Sequence, residues 1–139
     1  MAQAPILQVE GTTYPRVYEI SYSLYTDKDE TGKPSDKARC GVIKITRESG
    51  DTSDLFRWAT DSTKRNFKSG SITFKHPETK EDLKVLSWEN GFVSYYEEHV
   101  PHVKHAKDDQ MYEYFEISAE KITVGSDEIN QDWESAGAA

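Results

Sequence analysis

Residues 86–98 read LSWENGFVSYYEE. Two runs with the composition of β-strands flank the pair Asn90-Gly91, and the reading of that pair decides how the surrounding chain is laid out. Asn-Gly supplies the two left-handed residues of a tight type I′ turn. The spacing therefore predicts a hairpin, with strands over 83–88 and 92–98 and a turn over 89–91.

The same two-residue period runs outward in both directions. Residues 5–9 form a short candidate strand closed by Gly11. From Tyr18 the apolar positions are Tyr18, Ile20, Tyr22 and Leu24, opposed by Glu19, Ser21 and Ser23, as in a half-buried strand. Residues 40–47 carry Val42 on one face and Ile43 and Ile45 on the other. The period then changes: in SGDTSDLFRWATDST (49–63), Asp51, Thr52 or Ser53 can cap a helix start, Asp54 suits its first turn, and Leu55 and Trp58 share a face. A helix this short must dock on a sheet. Strands resume over 70–74, with Ile72 and Phe74 inward, and HPETKED (76–82) reads as a turn. Residues 111–118 place Met111, Phe115 and Ile117 on one face and Tyr112, Tyr114, Glu116 and Ser118 on the other. Ile122 and Val124 complete a last strand. The acidic tail GSDEINQDWESAGAA (125–139) has Trp133 as its anchor, with 134–139 expected to fray.

Seven or eight strands and one helix make this a mainly β chain, expected as one domain over 1–139. Only 35% of the 139 residues are hydrophobic and 30% are charged, yet there are 3 Trp, 8 Tyr and 5 Phe. Disordered chains lack such side chains, so the composition fits a small β protein or a protomer whose surface meets polar partners. The net charge of −8 repels phosphate backbones and anionic membranes, which sets aside nucleic acid and direct membrane insertion; keeping the chain soluble is its plainer role. Cys40 is the single cysteine, which leaves no intramolecular disulfide and makes a reducing compartment the default. MAQAPILQVEG (1–11) has neither a basic nor an apolar leader region, so synthesis in the cytoplasm, with any export independent of a cleaved signal peptide, is expected.

Few residues point to chemistry. His99, His102 and His105 follow Glu97 and Glu98 and are the candidate metal ligands, but Pro101 opposes a helix and the three-residue spacing differs from the i, i+4 spacing of helical zinc sites; a solvated loop is the alternative. Cys40 lies within a strand pattern, where a lone cysteine packs as a small apolar residue. There is no phosphate loop, nucleophile elbow or HExxH. No enzyme, no catalytic residue and no cofactor are expected. Lys64, Arg65 and Lys68 (KRNFK, 64–68) form a basic island. Nucleic acid, with Phe67 as a stacking group, is one use of it. Pairing with an acidic surface of another copy, such as 27–30, suits the acidic background better, and a solvated loop is the plain alternative.

The long polar connection TDKDETGKPSDKAR (26–39) stands out, because a hairpin closes with two to five residues. In order, the loop with TGKPSD, a Gly-containing strand ending in RES, the helix with LFRW, GSITFK, LSWENGFVSYYEE, QMYEYFEISAEKI and the Asn130/Trp133 pair resemble the Hcp family (haemolysin-coregulated protein, TssD), in its branch with a Gly-x-Pro-Ser arm. The resemblance spans 17–133 and rests on order and spacing. It implies a compact, phage tail-tube-like β-barrel of two packed antiparallel sheets with one short flanking helix and a long extended loop. It further implies a homo-hexameric ring, stacked head to tail as the inner tube of a type VI secretion apparatus. Sheath, spike and baseplate proteins would surround the tube, and effector proteins would travel in its lumen, from the bacterial cytoplasm through the apparatus to the extracellular space or a target cell. Enzymatic members carry a large extra C-terminal domain, and none is expected after Trp133. By the same resemblance the long loop contacts the adjacent ring, with Gly32 and Pro34 setting its course and Asp27, Asp29, Glu30, Lys33, Ser35, Asp36 and Lys37 lining it. Two other classes remain: a small-molecule or glycan-binding barrel using Tyr95, Tyr96, Tyr112 and Tyr114, and a histidine metalloenzyme.

Overall fold

The computed structural model describes residues 4–100 and 111–133. Its strands are β1 (Ile6–Val9), β2 (Thr12–Tyr14), β3 (Val17–Ser21), β4 (Leu24–Tyr25), β5 (Arg39–Cys40), β6 (Ile43–Glu48), β7 (Lys68–Lys75), β8 (Asp82–His99), β9 (Tyr112–Val124) and β10 (Asp127–Asn130). Between β6 and β7 lie helix α1 (Asp54–Ala59) and a 3-10 turn over Lys64–Asn66. The main sheet is antiparallel, in the order β2-β1-β7-β8-β9-β6-β3, with β10 also on β9; β4 and β5 form a separate ladder.

This sheet is curled nearly shut. β2 and β3 occupy opposite ends of the strand order, yet only Pro15 and Arg16 join them in sequence. Three peptide steps span at most about 11 Å, so the two sheet edges must lie side by side. Across the interior, Tyr22, just after β3, meets Phe74 of β7 with ring centroids 6.3 Å apart. One apolar cluster accordingly holds residues from every part of the curl: Leu7, Val17, Ile43, Ile45, Ile72, Leu86, Trp88, Phe115, Ile117 and Ile122.

The hairpin expected at Asn90 is not formed. β8 runs unbroken through Glu89, Asn90 and Gly91, paired with β9 from Leu86↔Val124 to His99↔Tyr112. Local turn chemistry loses here to a continuous partner strand. Asn90 keeps the left-handed backbone its residue type favours (φ 55°), and the effect is a change of phase. Before it Leu86 and Trp88 face inward; after it Gly91 and Val93 do. β9 changes phase at the same rung, with Phe115, Ile117 and Ala119 buried on one side of Glu120 and Ile122 on the other. The paired strands thus bend together, which is what curls the sheet. The two-residue turn with both φ positive occurs instead at Glu10-Gly11 (φ 49° and 83°), between β1 and β2.

Other expectations shift in detail. A bulge between Val17 and Glu19 puts Val17 in the core and leaves Tyr18 54% exposed, and Leu24 is 55% exposed, so the inward face predicted from Tyr18 to Leu24 holds only for Ile20 and Tyr22, which pack against the core. Met111, expected on one face with Phe115 and Ile117, is exposed, and Glu113 takes the buried position on that face. Leu55 and Trp58 dock α1 as expected, but Ser53 at the N-cap makes no side-chain capping bond. Asn66 closes the helix region instead: its carbonyl accepts from the Trp58 indole (3.1 Å) and its side-chain amide donates to the carbonyls of Trp58 and Asp61. The acidic tail contributes β10, which the sequence pattern did not reveal.

Candidate functional site

The long connection is an ordered arm. β4 and β5 pair as its stalk, through Leu24↔Cys40 and Tyr25↔Arg39. Further out, Lys28 and Pro34 form a bridge, and the Ser35 amide donates to the Asp27 carbonyl. At the tip the Asp29 carboxylate accepts from the Thr31 amide (2.9 Å), the Thr31 hydroxyl (2.7 Å) and the Lys33 amide (3.0 Å). These bonds hold its acidity stronger than an ordinary aspartate's, the Thr31 hydroxyl contributing most. Gly32 makes the reversal with φ 86°, a conformation that favours glycine. Asp36 pairs with Arg39 and caps the Lys37 amide at 2.8 Å. Residues 23–38 are exposed throughout, so the arm's shape is fixed by its own bonds while its surface stays open.

At the base of the stalk Gly41 is pressed against Ser23: its amide donates to the Ser23 carbonyl at 2.7 Å, and a Cβ there would lie 2.4 Å from the Ser23 hydroxyl. Beside it a groove of about 290 Å³ is lined by Tyr25, Cys40, Gln131 and Trp133. Burial raises the Cys40 thiol's pKa, and the Gln131 side-chain amide lies 3.6 Å from its sulfur. A second, apolar groove of about 140 Å³ lies between Tyr22, Leu24, Ile122, Val124 and Ile129, with Asp127 and Glu128 at its rim.

The basic island is built on the 3-10 turn that carries Lys64 and Arg65, with Lys68 opening β7. Phe67 within it stacks on Phe92 (5.8 Å) and meets Trp133 edge-on (5.5 Å), so the island approaches the groove at the arm's base through Trp133. This makes Trp133 the anchor expected from the sequence.

The tyrosines divide into two environments. Tyr95 and Tyr114 lie edge to face at 5.9 Å on the open side of the sheet, their hydroxyls donating to Glu97 and Glu116. Burial, then the Glu116 carboxylate, pushes Tyr114 up to about 12. Tyr96 points the other way. Its hydroxyl donates to Glu113, and burial together with that carboxylate raises its pKa well above the usual tyrosine range. Glu113 in turn forms an ion pair with Arg47, both nearly fully buried. The sequence reading missed this buried pair; its legible sign was Glu113 occupying an inward position of the 111–118 alternation.

His99 ends β8 rather than lying in a loop, its ring 5.0 Å from that of Tyr112. His102 and His105 lie outside the described residues. Among the described residues no group of three or more His, Cys, Asp or Glu is placed to hold a metal ion, and no helix is long and apolar enough to cross a membrane.

No curated protein matches the sequence. Among solved structures, Hcp1 from Flavobacterium johnsoniae shares 32% identity and superposes with a TM-score of 0.79 over 92% of this chain and 99% of its own. Hcp1 from the E. coli EAEC 042 pathovar, at 17% identity, shares the fold with a TM-score of 0.71 over 90% of this chain and 92% of its own. The fold also recurs in the sheath-tube complex of an extracellular contractile injection system (16% identity, TM-score 0.56, 89% of each chain). Residues 1–134 match the family model of hemolysin coregulated protein Hcp (TssD), and the chain belongs to that family, the tube proteins of type VI secretion systems.

Proposed function

We propose that this chain is a ring-forming subunit that stacks head to tail into the inner tube of a type VI secretion apparatus, with residues 27–37 reaching the adjacent ring. The observation that carries this is the arm itself. It is shaped by its own hydrogen bonds and ion pairs, yet its residues are exposed. An isolated subunit gains little from ordering such a surface, whereas a preorganised arm lowers the entropy lost when two subunits meet. A contact between different patches of identical chains closes into rings or propagates into stacks, and a tube needs both.

In this reading Lys64, Arg65 and Lys68 face acidic arm residues, Asp27 and Glu30 among them, of a neighbouring copy. The ring is a homo-hexamer, effector proteins occupy its channel, and sheath, spike and baseplate proteins are its outer partners. The role is structural rather than enzymatic, and export runs through the apparatus. The ligand-binding alternative draws less support: Trp88 and Phe115 fill the interior, and none of Tyr95, Tyr96, Tyr112 and Tyr114 lines either of the two grooves described above.

Negative-stain electron microscopy of the purified protein tests the proposal. Rings with a central hole, single or stacked, are expected. Replacing 27–37 by a two-residue turn should leave single rings without stacks. A monomer that persists at high concentration would overturn the reading.

A further inference from the structure

Two features of the surface are complementary in character, one an exposed aromatic ring beside a cation and the other an apolar groove rimmed by carboxylates. One is a knob: Phe56 of α1 is 53% exposed, set edge-on against Tyr96 at 5.8 Å, and beside it the Arg57 side chain is 75% exposed, its contact with Asp54 a loose 3.7 Å. The other is the apolar groove of about 140 Å³ between Leu24, Ile122 and Ile129, rimmed by Asp127 and Glu128. Glu128 already shares Lys121 with Glu89, whereas Asp127 pairs with no cation among the described residues.

The knob and the groove cannot meet within one chain. Phe56 packs at Tyr96, near the end of β8, while the groove residues Ile122 and Val124 pair with Trp88 and Leu86, eight and ten residues earlier on the same strand. At the rise of an extended strand that is on the order of 30 Å of path along β8, across its bend at Asn90, so the two lie toward different ends of the strand. A second copy displaced along the strand direction brings its knob to the first copy's groove. That contact is heterologous and repeats at every subunit.

We propose that Phe56 of one copy seats in the groove formed by Leu24, Ile122 and Ile129 of the next, with Arg57 meeting Asp127. This rests on the tube reading and names a contact between copies separate from the arm. It lies beside the arm's root, since Leu24 belongs both to the stalk and to the groove wall. Occupying the groove covers Leu24, and the cation–carboxylate pair at the rim fixes which end of a copy faces which.

Cysteine pairing in a Cys40→Ser background tests the contact in the full chain. Phe56→Cys and Ile129→Cys proteins, mixed under a mild oxidant, should give a disulfide-linked dimer that neither gives alone, and Phe56→Cys mixed with Tyr95→Cys is the control. Because Phe56 also packs on Tyr96, charge reversal supplies a second reading: Arg57→Asp should raise the concentration needed for association by roughly tenfold, and adding Asp127→Arg should restore it. Rings or stacks that form without the cross-link and without sensitivity to Arg57→Asp would overturn this contact and leave the tube reading standing. A chain that stays monomeric under all conditions overturns both.

Discussion

Arg47 of β6 and Glu113 of β9 stand directly opposite each other in the ladder and form an ion pair inside the barrel. The guanidinium also donates through Nε to the Pro15 carbonyl at 3.2 Å and lies 5.5 Å from the centre of the Tyr14 ring. Pro15 lies in the two-residue link between the sheet's edges, so one side chain clamps the place where the curl closes. Glu113 is held from its other side by the Tyr96 hydroxyl.

Glu113→Gln should therefore cost about 3–5 kcal/mol, because it strands the Arg47 charge in the interior. Tyr96→Phe, which removes one hydrogen bond to a charged acceptor, should cost about 1.5–3 kcal/mol. Urea unfolding of the two variants checks the order. Equal losses would mean that the hydrogen bond rather than the charge pair holds the closure.

Trp88 is confined between two glycines. A Cβ at Gly70 would meet its ring at 2.5 Å, and one at Gly91 would meet its indole nitrogen at 2.6 Å. The nitrogen itself donates to the Lys68 carbonyl at 3.0 Å, so the ring has little room to give way. Gly91→Ala should destabilise the fold by about 1–3 kcal/mol through overpacking. Gly50→Ala, where nothing lies within 4 Å, should stay within about 0.5 kcal/mol of the parent. Thermal melts of both variants are the measurement.

Alkaline pH should loosen the fold through Tyr114. Its folded pKa of about 12 lies above the ordinary value of 10.0, so between these values the unfolded chain loses the tyrosine proton while the folded one keeps it. Stability from this group is complete below pH 10 and falls as pH rises toward 12. In Tyr114→Phe the urea midpoint should decline less over that window. Parallel curves for the two proteins would show that Tyr114 contributes nothing to the decline.

Much of this architecture is legible in the sequence, because alternation reports burial wherever a strand keeps one phase. The inward Phe115 and Ile117, the docking pair Leu55 and Trp58, and the turn over 76–82 follow directly. What alternation cannot carry is a change of phase without a turn. At Asn90-Gly91 the local signal is that of a hairpin, and only the pairing with residues about thirty positions away converts it into a bend. The clamp at Arg47 was hidden for a related reason, since two charged residues on inward positions look like surface until their register is known. The arm's order was equally invisible, since it rests on Asp29 bonds inside a run whose composition reads only as polar.

The arm should prove separable from the fold. Asp29→Ala removes the acceptor for three bonds at the tip but touches nothing in the core, so the thermal midpoint should hardly move. Stacking should fall, because the arm's lost order must be regained on every contact. Sedimentation velocity beside a melting curve distinguishes the effects; a large drop in melting temperature would mean that the arm belongs to the fold rather than to assembly.

Salt should act on stacking in the same selective way. Asp27 and Glu30 on the arm and Lys64 and Arg65 on the 3-10 turn are exposed, and charges in such positions interact through water and are screened within about 8 Å at physiological ionic strength and about 3 Å at molar salt. If these groups meet across copies, stacks should dissociate toward single rings as salt is raised, while rings held by apolar burial persist. The Arg65→Glu variant should show the weaker stacking already at low salt, and pairing it with Glu30→Arg should recover part of the loss. Stacks that survive molar salt unchanged would assign the axial contact to the apolar surfaces near Leu24, with the charges serving orientation alone.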